Sequence, residues 1–125
     1  MNFSIEPDHH LKIIRYKHSG HIKEQDLGMA WEKLLQMKEF VQEGYNLLSD
    51  YRDAIFDMKI DEVYEIVDTL EKMGPILDGK KQSIIVQDPY STAGSILFEE
   101  ISQRKLKFRI KIFSTDEAAL HWLSI

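Results

Sequence analysis

The chain has 125 residues, 43% of them hydrophobic and 30% charged, with a formal net charge of -5, which fits one globular domain over residues 1–125 and argues against disorder. It contains no cysteine, so disulfides, thiolate metal sites and cysteine nucleophiles are excluded. No apolar run approaches the roughly 18 residues a membrane span needs. The first residues lack the basic and apolar regions of a secretory signal, and the acidic balance gives no electrostatic footprint for nucleic acid, so a cytoplasmic protein is expected.

In chain order, Phe3 to Glu6 and Leu11 to His18 read as two strands joined through Pro7-Asp8-His9-His10, which predicts a hairpin. A stripe of Leu27, Ala30, Trp31, Leu34, Met37 and Val41 then recurs at helical spacing and ends before Gly44. Tyr45 to Asp50 is a third strand. Val63, Ile66, Val67, Leu70 and Met73 mark a second helix stopped by Gly74-Pro75. Ile84 to Val86 is apolar on consecutive positions, as a strand buried on both faces must be, and predicts the central strand. Asp88 caps a third helix with Pro89 at its first position. Phe108 to Phe113 alternates as a fifth strand, and Ser114 with Glu117 has the spacing of a capping box for a last helix. The pattern predicts an α/β fold: a five-stranded mixed sheet, an N-terminal hairpin followed by parallel β-α-β-α-β-α, and four helices.

Four stretches carry a resemblance to a known superfamily: Ser19-Gly20-His21-Ile22, Leu47-Leu48-Ser49-Asp50, Ile85-Val86-Gln87-Asp88-Pro89, and the ending from Ile112 to Leu123. In these the chain resembles the STAS-like superfamily, and within it the small uncharacterised bacterial SpoIIAA-like proteins, whose fold is shared with CRAL-TRIO domains. The resemblance implies a non-enzymatic regulatory or protein-interaction module, with a protein partner or self-association. The CRAL-TRIO relationship implies an alternative, a small-molecule or lipid-binding domain with an apolar ligand between sheet and helix. The anti-sigma antagonists of that superfamily carry a phosphorylated hydroxyl before the second helix. Here the matching stretch is Asp57-Met58-Lys59-Ile60, which offers no phosphoacceptor.

Open α/β sheets bind ligands beyond the carboxyl ends of their strands. Asp50, Asp88 and Ser114 are expected there. If Asp50 and Asp88 end neighbouring strands, their carboxylates, with Ser91 and Thr92 nearby, could hold magnesium or share a proton, which gives a third reading as a metal-dependent enzyme. Capping roles explain the same residues without chemistry. Tyr90 adds an amphipathic ring of the kind enriched at interfaces, so Asp50, Asp88, Tyr90, Ser91 and Thr92 form the expected ligand or partner surface. Asp53, Asp57 and Asp61 match no calcium loop and read as a solvated acidic segment. His9 and His10 lie far from His18 and His21 along the second strand, so exposed histidines are expected rather than a metal shell. No nucleotide-binding or nucleophile-elbow motif occurs, and neither catalytic residues nor a cofactor are assigned.

Overall fold

The computed structural model describes residues 2–125. β1 (Phe3–Asp8) and β2 (Ile13–Ile22) form the antiparallel hairpin, and β3 (Asn46–Phe56), β4 (Lys81–Ile85) and β5 (Arg109–Phe113) follow in parallel, in the spatial order β1-β2-β3-β4-β5. The α/β class, the mixed five-stranded sheet and the hairpin are those the hydrophobic pattern predicts. The helices are α1 (Glu24–Leu34), α2 (Lys38–Val41), α3 (Ile60–Glu71), α4 (Gly74–Leu77), α5 (Pro89–Lys105) and α6 (Asp116–Leu123). Six helices therefore stand where four are expected, the extra two being single turns. The stripe from Leu27 to Val41 breaks after Leu34, which lets Phe40 on α2 turn inward and meet the Trp31 ring edge-on at 6.0 Å. Gly74-Pro75 ends the second stripe, and Pro75 also sits in the first turn of α4, where its missing N–H costs nothing.

Each parallel step moves the same way across the sheet, so right-handed crossovers place α1, α3 and α5 on one face. The larger core lies there, with Ile14, Tyr16, Leu47, Tyr51, Ile84 and Ile110 of the sheet beneath Leu27, Trp31, Leu34 and Leu70. α6 follows the last strand, with no strand left to join, and packs on the opposite face, where Ala119, Trp122 and Leu123 cover Ile13, Leu48 and Ile85. β4 is buried at all five positions, as expected, but the middle place in the sheet belongs to β3. At about 1.5–3 kcal/mol for each large side chain removed from water, these two clusters supply the main favourable contribution to folding.

β3 runs six residues past the predicted strand end at Asp50. Lys17 pairs with Asp50 but Ser19 pairs with Asp53, so β3 carries one extra residue opposite β2. That bulge shifts the alternation: Tyr51 and Ala54 are both buried, while Arg52 and Asp53 lie between them toward the other side. A second local correction concerns α6. Its cap is Thr115, whose hydroxyl accepts from the Ala118 amide at 3.2 Å, and not Ser114.

Candidate interaction site

The expected pairing of Asp50 with Asp88 is not formed. With β3 continuing to Phe56, Asp50 sits in mid-strand on the α6 side of the sheet, whereas Asp88 caps α5, which packs on the other side. The Asp50 carboxylate accepts from Arg52 Nε at 2.9 Å, from Arg52 Nη2 at 2.8 Å and from the Arg52 amide at 3.1 Å. Burial acts to raise the Asp50 carboxyl, but these bonds outweigh it and hold the group below its usual range. Arg52 also reaches Asp116 at 3.2 Å. A carboxylate so engaged has little left for a metal. Among the described residues no group of three or more His, Asp or Glu side chains is placed to hold one.

The first turn of α5 gathers the other four predicted residues. Asp88 accepts from the Ser91 amide at 2.9 Å, and the Thr92 hydroxyl donates to the Asp88 carbonyl at 2.8 Å. Hydrogen bonds from the Ser91 side chain and amide hold the Asp88 carboxyl below its usual range. Ser91 is fully buried and accepts from the Phe56 amide at 3.0 Å, so it ties α5 to the end of β3 and cannot belong to a contact surface. Tyr90 is different: it is 62% exposed. Its ring borders an apolar groove of about 280 Å³ between the starts of α3 and α5, lined also by Phe56, Met58, Ile60, Val63 and Leu97. Ile60, 64% exposed, is a site residue the sequence reading missed. Its spacing from Val63 and Val67 continues the buried stripe, so periodicity alone assigns it to the core. At the first turn of α3 the stripe instead overhangs the groove. Gly94 lets the Phe56 ring pack closely here, because a Cβ at that position would lie 3.2 Å from it and the ring would have to give by a few tenths of an ångström.

The stretch Asp57-Met58-Lys59-Ile60 leads into α3. The Lys59 amide donates to the Glu62 carboxylate at 2.9 Å, half of a capping box whose hydroxyl member is missing. The histidines need one correction. His18 is not exposed: it lies 2% exposed beneath the helices, 2.9 Å from the Tyr16 hydroxyl and stacked on Phe3 at 5.8 Å. Burial lowers its pKa, with Asp26 opposing the effect, and the neutral ring is the favoured form. Its place was legible from spacing, since Ile14, Tyr16 and His18 share one strand face. His9 meets the Tyr45 hydroxyl at 3.0 Å, and His21 lies 4.0 Å from Asp57. Further inside, Gln82 donates to Ser49 at 2.9 Å, and its side-chain carbonyl has no protein partner. Gln82 borders a small apolar pocket of about 30 Å³.

No helix among the described residues is long and apolar enough to cross a membrane. No protein-family model matches the chain, and no curated protein does. Among solved structures, an uncharacterized protein of the DUF3478 family from Shewanella loihica PV-4, with a SpoIIAA-like fold, superposes with a TM-score of 0.65 at 14% identity, covering 98% of this chain and 94% of that one. At that identity the likeness lies in the path of the backbone and does not reach the site. This chain has the SpoIIAA-like fold.

Proposed function

We propose that the chain is a single-domain, non-enzymatic interaction module of the cytoplasm, which works by contact at the carboxyl edge of its sheet. One observation carries the reading. The polar residues at that edge are satisfied within the fold, while Tyr90 and Ile60 stand exposed on either side of an apolar groove. Groups that could do chemistry are engaged, and groups that could make contact are free. The occupant is a protein segment that presents an apolar side chain to the groove. With no hydroxyl between Asp57 and Ile60, the contact is not switched by phosphorylation at that turn.

The alternative of a lipid-binding or small-molecule domain with its ligand between sheet and helix finds less support, because the space there is about 30 Å³, room for roughly one water. An enzyme using Asp50 and Asp88 is disfavoured by their separation to opposite faces. Photo-crosslinking from a reactive group at position 90, performed in the host cell, should trap one protein reproducibly. Titration of that purified protein should then show binding weakened at least about fivefold by Tyr90→Ala and by Ile60→Ser, the effect expected of central apolar anchors. Affinity unchanged from that of the native chain in both variants, or turnover of a phosphate ester that Asp50→Asn abolishes, would sink the reading.

A further inference from the structure

We propose that the groove between α1 and α3 is a docking site for a basic amphipathic helix of a partner protein. This groove has a volume of about 510 Å³ and shares no lining residue with the Tyr90 groove. Its floor is apolar, formed by Leu27 and Trp31 of α1 with Leu35 just past its end, and by Ile66 and Leu70 of α3 with Met73 just past its end. Glu24 and Glu32 stand at its rim, and no lysine or arginine lines it. Across the mouth, Glu65 lies so close that a hydrogen bond to it, together with burial and the charges of Glu65 and Glu62, raises the Glu24 carboxyl. An apolar trough bordered by carboxylates is complementary to a helix with apolar anchors on one side and lysine or arginine beside them.

Gly28 supplies an independent reason to expect a close approach. It lies inside α1, where glycine costs about 1 kcal/mol relative to alanine. The fold itself gives no steric cause for a glycine there, since a Cβ at Gly28 would have nothing within 4 Å. The absent side chain leaves the trough open where α1 borders it, and it lets another backbone come near. With 11 residues, α1 is about 16 Å long at 1.5 Å per residue, which matches three turns of an incoming helix. The acidic rim also selects among occupants, because anionic lipid surfaces repel it.

The test uses the whole chain and three probes: an amphipathic Leu/Lys peptide of about three helical turns, its Leu/Glu counterpart, and phosphatidylglycerol vesicles. The Leu/Lys peptide should bind with amide shifts confined to α1 and α3. The Leu/Glu peptide should bind at least about tenfold more weakly, and so should the Leu/Lys peptide to Gly28→Leu, which fills the trough. Glu32→Lys should weaken binding by about fivefold without touching the floor, and it serves where Gly28→Leu does not fold. Tyr90→Ala should leave the affinity unchanged, which separates this site from the one proposed above. Unchanged affinity in Gly28→Leu or Glu32→Lys overturns the proposal. So do shifts scattered over the acidic surface, shifts at the Tyr90 groove, shifts caused by vesicles but not by peptide, or a dimer that buries the trough without any probe.

Discussion

The two faces of the sheet are built from the same strands and yet obey different physics. On the inner face, three helices remove Tyr16, Tyr51, Ile84 and Ile110 from water, and even the polar groups there, His18, Ser49 and Gln82, are buried. On the outer face, α6 covers one half through Ala119, Trp122 and Leu123. The other half is an open lattice of charge: Arg15 with Asp8, Lys17 with Asp53, and Arg52 between Asp50 and Asp116. The difference shows that coverage, and not strand identity, decides which residues a position tolerates, because successive side chains point to opposite faces.

The largest effect should come from Trp122→Ala. Its ring is the main apolar contact of α6, and Lys81 and Arg109 lie over it at 5.2 and 5.6 Å. The Lys81 ammonium also donates to the Trp122 carbonyl at 3.1 Å, a backbone group that alanine keeps, so the substitution tests the ring alone. Denaturant unfolding should show a loss of about 3–5 kcal/mol. A smaller loss than a core leucine gives would mean that α6 contributes little to the outer face.

Acid should separate the faces next. His18 is held neutral, with its folded pKa below the ordinary 6.5. Its contribution is therefore complete above that value and is lost as pH falls from there toward the lowered one, since the unfolded chain takes up the proton first. Asp50 has a pKa below the ordinary 3.8, so its contribution persists above 3.8 and is lost only as pH falls further through the lowered value. Stability measured against pH should thus fall in two windows, and His18→Asn should remove the upper one alone. A profile without the upper step would place His18 in water.

Smaller changes test individual turns. Thr115→Ala should cost about 1 kcal/mol by removing the α6 cap acceptor, while Ser114→Ala changes the unfolding midpoint little. Gly28→Ala should stabilise by about 0.5–1 kcal/mol, because the position is helical and its new Cβ meets nothing within 4 Å. Smallest of all, Arg15→Ala on the open half should change stability by no more than about 0.5 kcal/mol. An effect as large as that of Trp122→Ala would overturn the contrast between covered and uncovered halves.

Periodicity made most of the fold legible. Ile84 to Val86 could only be an inner strand, and the stripes of α1 and α3 named their buried residues in advance. What escaped was phase. The extra residue at Tyr51 and Arg52 interrupts the alternation, so β3 reads as ending at Asp50 when it continues to Phe56. From that one slip follows the misplacement of Asp50 beside Asp88. Two adjacent hydroxyls, Ser114 and Thr115, each look like a cap, and only backbone geometry chooses between them. Tyr90 was legible as an exposed residue because it follows a capping Asp-Pro pair. Ile60 and Gly28 were not, since the meaning of each lies in the empty space beside it.

The rims of the sheet carry a consequence for how the chain behaves among copies of itself. β1 and β5 are its outermost strands. Pro7 deprives β1 of one amide donor, and β5 is only five residues long with Arg109 and Lys111 exposed along it. A short charged border on one side and a border missing a donor on the other are poor templates for strand addition. Both borders therefore disfavour growth of the sheet by main-chain pairing, and leave the surfaces of the helices as the better ground for association.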